Sequence, residues 1–117
     1  MNLKYNKKIL VTGAAGFIGF HLSRELIKNK INIIGIDNIN DYYDVNLKKS
    51  RIKELQKNKF SKNFKFYKSD LTNLKSLTLI FKKHKITKII HLAAQAGVRH
   101  SLKKPKDYLD NNIIATF

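Results

Sequence analysis

The chain alternates between short apolar runs and longer segments in which apolar residues recur every three or four positions. The short runs are Lys8–Thr12 and residues 31–36, 64–67 and 87–92, and β-branched or aromatic side chains are frequent in them. Runs of this length and composition are typical of strands buried in a parallel sheet. We therefore predict four strands.

The longer segments predict helices over Phe17–Lys28 and over residues 47–57, 74–83 and 106–117. Thr72 or Asn73 is placed to cap the third helix, and Pro105 starts the last one. On the first helix the spacing predicts one buried face, formed by Phe17, Ile18, Phe20, Leu22, Leu26 and Ile27. On the third helix it predicts a buried face formed by Leu74, Leu77, Ile80 and Phe81.

Alternating strands and helices predict an α/β fold, a Rossmann-type doubly wound parallel sheet. The usual strand order of that fold is 3-2-1-4, which leaves the fourth strand at an edge where unpaired backbone groups invite association. No linker or repeat divides the 117 residues. We expect residues 1–117 to be one unit, the N-terminal part of a sheet that continues beyond residue 117.

Composition fits an ordinary globular protein, with 43% hydrophobic and 27% charged residues. There is no cysteine, which excludes disulfides and thiolate metal sites. Polar residues interrupt the apolar stretch after the basic N-terminus, and no run is long enough for a membrane span. We therefore expect a cytoplasmic protein without a membrane partner.

The formal net charge of +16 raises the alternative of a polyanion-binding protein. Of the 24 basic residues, however, only Arg24, Arg51 and Arg99 are arginine, and the lysines are spread along the chain. Nucleic-acid recognition favours arginine interleaved with aromatic residues. We predict a solvated lysine surface and no nucleic-acid partner, with a basic field that attracts an anionic nucleotide ligand.

The turn between the first strand and the first helix is the strongest candidate for chemistry. Gly13, Gly16 and Gly19 lie in it, in the strand–turn–helix context that gives a glycine pattern meaning. Glycine lets a ligand approach the backbone, and a helix start offers free N–H groups with partial positive charge. The pattern predicts a turn that binds the pyrophosphate of a dinucleotide; the alternative is a turn that only packs the helix.

Two carboxylates follow later strands. Asp37 ends the second strand, where a carboxylate accepts the ribose hydroxyls of NAD and repels the 2′-phosphate of NADP, and no basic residue directly follows it. Asp70 follows the third strand and either accepts from the adenine amino group or caps a helix. For Asp37 the alternative is a simple turn residue. The preferred cofactor is therefore NAD.

Four segments together resemble the extended short-chain dehydrogenase/reductases, the family of NAD-dependent nucleotide-sugar epimerases and dehydratases. They are Thr12-Gly13-Ala14-Ala15-Gly16-Phe17-Ile18-Gly19, Asp37-Asn38, Asp70-Leu71 and His91-Leu92-Ala93-Ala94. Residues 35–44 and 94–99 are similar to the N-terminal part of the UDP-glucuronate 4-epimerases, a subgroup that serves polysaccharide synthesis. His100 departs from that subgroup, which usually has tyrosine there.

The resemblance implies an NAD-dependent 4-epimerase (an isomerase) that acts by transient oxidation and re-reduction at C4 of a nucleotide sugar. The implied cofactor-binding residues are Gly13, Ala15, Gly16, Phe17, Ile18, Gly19, Asp37, Asn38, Asp70, Leu71, Ala93, Ala94, Gln95 and Asn112. Arg99 is assigned either to the substrate or to structural pairing. The alternatives are a nucleotide-sugar 4,6-dehydratase or decarboxylase of the same family, or a non-catalytic dinucleotide-binding module.

The family's catalytic Tyr-x-x-x-Lys has no match in these 117 residues, and the nucleotide-sugar domain is absent from them too. We assign no catalytic residue and expect the 117-residue chain alone to be inactive; for the full-length enzyme the family implies a homodimer. The four histidines lack the spacing of metal ligands, so we expect no metal site. We expect surface or capping roles for His21, His84 and His100, and packing for His91.

Overall fold

The computed structural model describes residues 8–40, 44–57 and 61–93. Its elements are β1 (Lys8–Thr12), α1 (Phe17–Lys28), β2 (Asn32–Asp37), α2 (Val45–Lys57), β3 (Phe64–Lys68), α3 (Leu74–Lys83) and β4 (Ile86–His91). A single 3-10 turn at Ser61–Asn63 precedes β3. The four predicted strands and the first three helices are confirmed, and Asn73 is the residue that caps α3. The predicted helix at residues 106–117 lies outside the described residues.

The four strands form one parallel sheet in the order β3-β2-β1-β4, which confirms the predicted fold class and strand order. β1 is paired on both sides, with Val11 beside Gly35 of β2 and Thr12 beside His91 of β4. The carboxyl ends of all four strands meet at one edge of the sheet. β2 lies on one side of β1 and β4 on the other, so the strand order reverses at β1, the position at which open parallel sheets bind ligands at their carboxyl edge.

Helices cover the two faces of the sheet. Alternate strand residues such as Val11 and Ile33 pack against Ile27 of α1 and Leu55 of α2. Their neighbours Leu10 and Ile34 pack against Ile80 of α3 on the opposite face. This two-sided burial explains why the strands are continuous apolar runs rather than alternating ones.

Two parts of the predicted helix faces are wrong. On α1, Phe17 and Ile18 are 67% and 66% exposed, and on α3, Leu74 and Phe81 are 74% and 40% exposed. An α-helix turns by about 100° per residue, so Ile18 lies on the opposite side of α1 from buried Ile27. By the same geometry Leu74 lies about 120° around α3 from buried Ile80. Burial on both helices is therefore narrower than the apolar spacing indicates.

β4 is an edge strand of the described sheet, as expected, with β3 at the other edge, and Ile89 on β4 is 55% exposed. Within the described residues no helix has both the length and the apolar character needed to cross a membrane.

Candidate functional site

Backbone hydrogen bonds join the glycine turn to the end of β2. The N–H groups of Gly13 and Ala14 both donate to the Ile36 carbonyl oxygen, at 2.8 and 3.2 Å, and the Gly16 N–H donates to the Gly13 carbonyl oxygen at 3.0 Å. Gly13 adopts a φ of +72°, in the left-handed region that favours glycine. The chain thus reverses directly over the carboxyl edge of the sheet and enters α1.

The three glycines of the turn have different reasons to lack a side chain. A Cβ on Gly13 would lie 2.9 Å from the Ala93 nitrogen, so the backbone that follows β4 approaches the turn closely. A Cβ on Gly19 would overlap the Gly13 carbonyl oxygen, so Gly19 lets α1 pack onto the turn. A Cβ on Gly16 would meet only the Gly13 oxygen, at 3.2 Å, and otherwise points into open space. Gly16 is therefore the position at which the backbone is open to a ligand.

The start of α1 presents N–H groups that the helix itself does not use. The first intrahelical bond runs from the Phe20 N–H to the Gly16 carbonyl oxygen at 2.9 Å, so the N–H groups of Phe17, Ile18 and Gly19 precede it. The N-cap residue is Gly16, which has no side chain to accept from them. The helix dipole adds partial positive charge at the same place. This combination suits an anion such as a pyrophosphate.

Asp37 stands beside this turn and holds it. One carboxylate oxygen, Oδ2, accepts from the Ala15 N–H at 3.0 Å, and the other, Oδ1, accepts from the Ile39 N–H at 2.8 Å. Asp37 is therefore a turn residue in its own right. Each carboxylate oxygen has a second lone-pair site, so the same side chain retains acceptor capacity for hydroxyl groups of a ligand.

The loop after β2 contains features that the sequence pattern did not reveal. Ile39 has a φ of +52°, which is a strained conformation for a β-branched residue, and its side chain is buried. Asn38 Oδ1 accepts from the Asn40 N–H at 3.1 Å. The Lys48 ammonium of α2 donates to Asn40 Oδ1 at 2.6 Å and to its carbonyl oxygen at 3.0 Å. Lys48 is only 7% exposed, so it is an exception to the predicted solvated lysine surface.

A second basic residue of α2 reaches the glycine turn itself. The Arg51 guanidinium donates through Nη1 to the Ala15 carbonyl oxygen at 3.0 Å. Its Cζ atom lies 6.0 Å from the centroid of the exposed Phe17 ring. No sequence signal marked Arg51, because its partner lies 36 positions away.

The Thr12 hydroxyl joins the ends of β1 and β4. It accepts from the N–H groups of Leu92 and Ala93, at 2.9 and 3.1 Å, which occupies both lone pairs. Its own proton is therefore donated to His91 Nδ1, at 2.7 Å. His91 is exposed on β4, so its expected packing role is wrong. The Thr12 hydroxyl that donates to His91 also accepts from the Ala93 N–H, which places Ala93 beside the turn.

Asp70 lies near Asp37 but makes local contacts. Its Oδ1 atom accepts from both the N–H and the hydroxyl of Thr72, at 2.9 and 2.8 Å. The adjacent Ser69 N–H donates to the Asp37 carbonyl oxygen at 3.1 Å, which brings the end of β3 to the same edge. Leu71 packs against the core under α3. The structure thus shows the turn role of Asp70, and its adenine contact stays a prediction.

Four predicted site residues, Ala94, Gln95, Arg99 and Asn112, lie outside the described residues. The others, from Gly13 to Ala93, border the carboxyl edge of the sheet. Within the described residues no three histidine or acidic side chains come together as a metal ion would need.

His84 lies apart from this edge, where it caps the end of α3. The Lys8 ammonium donates to His84 Nδ1 at 3.1 Å, so the ring proton is on Nε2 and is donated to the Tyr67 hydroxyl oxygen at 2.6 Å. Burial, followed by the charges of Lys8, Lys83 and Lys65, lowers the pKa of His84 below 6.5. The ring is therefore neutral at neutral pH.

Comparison with known families decides the identity of the fold. Residues 10–117 match the sequence profile of the GDP-mannose 4,6 dehydratase family. The chain belongs to this family. Its members are NAD-dependent epimerases and dehydratases, which confirms the family resemblance and the cofactor that the sequence predicted at the level of the family.

Several relatives are UDP-glucuronate 4-epimerases. The one from Thermodesulfobacterium geofontis is 51% identical over 107 residues, which are 92% of this chain and 32% of that protein. Protein CapI of Staphylococcus aureus is 48% identical over 107 residues, 92% of this chain and 31% of that protein. The UDP-glucuronic acid 4-epimerase from Bacillus cereus, crystallised with UDP-glucuronic acid and NAD, is 40% identical with a TM-score of 0.80. That match covers 93% of this chain and 33% of the other. The chain thus spans about a third of these relatives.

Proposed function

We propose that the 117 residues bind NAD at the carboxyl edge of the sheet, as the cofactor-holding part of a UDP-glucuronate 4-epimerase. One observation carries the proposal. The N–H groups of Phe17, Ile18 and Gly19 start α1 without a side-chain cap, next to the Asp37 carboxylate. The helix start suits the diphosphate of an adenosine diphosphate group, and the carboxylate beside it suits the ribose hydroxyls of the same group.

The fit of NAD is supported residue by residue. The open face at Gly16 admits the pyrophosphate to the helix start, and Asp37 accepts from the adenosine ribose hydroxyls. Asn38, Asp70 and Leu71 border the adenine. Ala93, held beside Gly13 by Thr12, borders the nicotinamide side, where the family resemblance also places Ala94, Gln95 and Asn112. When bound, NAD supplies a hydride acceptor for C4 of the sugar.

Charge at the ribose position favours NAD over NADP. The Asp37 carboxylate already accepts hydrogen bonds from two backbone N–H groups, which hold it in place. A 2′-phosphate placed against it is repelled, whereas hydroxyl groups donate to its remaining lone pairs.

Titration of the chain with NAD and NADP tests this function. Hydrogen bonds to a charged group are worth about 1.5–3 kcal/mol, so we expect NAD to bind about ten-fold or more tightly than NADP. Asp37→Asn should weaken NAD binding and narrow that ratio, whereas Glu25→Gln, an exposed change on α1, should alter neither. Equal affinities for NAD and NADP in the unaltered chain would contradict the proposal. Tight, salt-sensitive binding of duplex DNA without NAD binding would favour a polyanion-binding protein instead.

UDP-glucuronate is proposed as the substrate because the Thermodesulfobacterium geofontis and Bacillus cereus relatives are named as its 4-epimerases. The matched family profile is named for a 4,6-dehydratase. A chimera tests whether this third of the protein supports the epimerase reaction. Residues 1–117 replace the corresponding third of the Bacillus cereus enzyme, and the chimera is incubated with UDP-glucuronate. We expect the 4-epimer as product. A chimera that folds and binds NAD but leaves UDP-glucuronate unchanged would contradict this assignment.

A further inference from the structure

Arg51 lies on α2, far from the glycine turn in the sequence, and its side chain connects the two. Its guanidinium is half-buried and donates to the Ala15 carbonyl oxygen at 3.0 Å. The buried residues Lys48 and Leu55 lie three positions before it and four positions after it, so Arg51 is on the border of the α2 face that packs against the rest of the fold.

Two ionised side chains hold Ala15 from opposite sides. Asp37 Oδ2 accepts from the Ala15 N–H at 3.0 Å, and Arg51 donates to the Ala15 carbonyl oxygen. Ala15 is fully buried, so its end of each bond is sheltered from water, whereas Asp37 and Arg51 are half-buried. Bonds of this kind, with one charged partner, are stronger than those between neutral groups.

The peptide that Arg51 holds is the one that leads into α1. The Ala15 carbonyl and the Gly16 N–H belong to the same planar unit, and the Gly16 N–H donates to the Gly13 carbonyl oxygen at 3.0 Å. With both ends of this unit bonded, its plane is fixed. The N–H groups of Phe17 and Ile18 follow directly, so this fixed unit is the base from which the start of α1 projects.

We propose that Arg51 is a positioning residue of the pyrophosphate site: it holds the Ala15–Gly16 peptide so that the helix start is preorganised for the diphosphate. The inference rests on the proposed function, since it assumes that this site binds NAD. It assigns to α2 a part in cofactor binding that lies outside the glycine turn and Asp37.

The test compares Arg51→Met and Arg51→Lys with Arg24→Met in the full 117-residue chain, titrated with NAD, ADP and adenosine. Arg24 is a matched control, because it is also half-buried and lies 5.4 Å from the Phe20 ring, but its guanidinium donates to His21 instead of the turn. Loss of a hydrogen bond from a charged donor predicts about ten-fold weaker binding of NAD and ADP by Arg51→Met. Adenosine, which lacks the diphosphate, should bind all four proteins alike. Arg51→Lys retains a cation and a donor, and should recover part of the loss.

The outcomes separate this inference from the function on which it rests. If the unaltered chain binds NAD and Arg51→Met binds it equally tightly, the inference alone is wrong. If Arg51→Met weakens adenosine as much as ADP, Arg51 supports the fold in general and the inference is wrong. If the unaltered chain binds no NAD, the proposed function and the inference fall together. Should Arg51→Met not fold, as judged by circular dichroism, Arg51→Lys gives the answer: NAD affinity equal to that of the unaltered chain would overturn the inference, and selective weakening of NAD and ADP would support it.

Discussion

Replacing Gly19 by alanine separates packing from binding within the glycine turn. The added Cβ would overlap the Gly13 carbonyl oxygen and lie 2.9 Å from the Gly13 carbonyl carbon and 3.1 Å from the Ala14 Cα atom. These are backbone atoms that cannot rotate away, so α1 must shift off the turn. Overpacking of this kind costs about 3 kcal/mol, at the upper end of the usual range. Alanine favours a helix over glycine by about 1 kcal/mol, which leaves a net loss of about 2 kcal/mol.

Gly16→Ala is the matched control, because it adds the same methyl group three positions earlier. Gly16 has φ −73° and ψ 170°, which alanine adopts freely, and its Cβ meets a single atom at 3.2 Å. We expect the free energy of unfolding to change by less than about 0.5 kcal/mol. NAD binding should nevertheless weaken, since the methyl group enters the open face of the turn. Urea denaturation and NAD titration of both variants measure these effects. A Gly19→Ala protein as stable as the unaltered one would refute the packing argument, and undiminished NAD binding by Gly16→Ala would refute the binding argument.

Two further predictions concern stability. Thr12→Val removes the hydroxyl that accepts from the half-buried Ala93 N–H and donates to His91, and loss of these bonds predicts a loss of about 1 kcal/mol in urea denaturation. A change close to zero would show that this hydroxyl contributes little. Since the pKa of His84 is lowered on folding, the unfolded chain binds this proton more readily. With respect to this group, the free energy of unfolding is therefore highest above pH 6.5 and decreases as the pH falls through the folded pKa. His84→Gln should flatten that part of the plot of unfolding free energy against pH.

The sequence predicted the elements and their order because the signals are local. The apolar run at Lys8–Thr12 and the glycines that follow it specify a buried strand and a tight turn without reference to the rest of the chain. Alternation of strands and helices then restricts the sheet to few topologies. The placement of Asp37 followed from the same order, because it ends the strand beside β1.

The contacts that complete the site could not be predicted in this way. Arg51 and Lys48 look like two basic residues on a lysine-rich helix until α2 is packed against the turn and the β2 loop. Ile39 adopts a left-handed conformation that its side chain disfavours, and only burial and the bond to Asp37 show why. Gly35 reads as a strand residue, although a Cβ there would lie 3.0 Å from both the Ala14 Cβ and the Phe64 ring. Each case depends on tertiary neighbours.

The most direct test of the NAD site is a ¹H–¹⁵N titration of the 117-residue chain with NAD, followed residue by residue. We predict that the largest shifts occur at the backbone N–H groups of Gly16, Phe17, Ile18 and Gly19, with smaller shifts around Asp37. Shifts that are spread over the lysines of α2 and α3, or that spare the start of α1, would contradict the assignment of this turn as the pyrophosphate site.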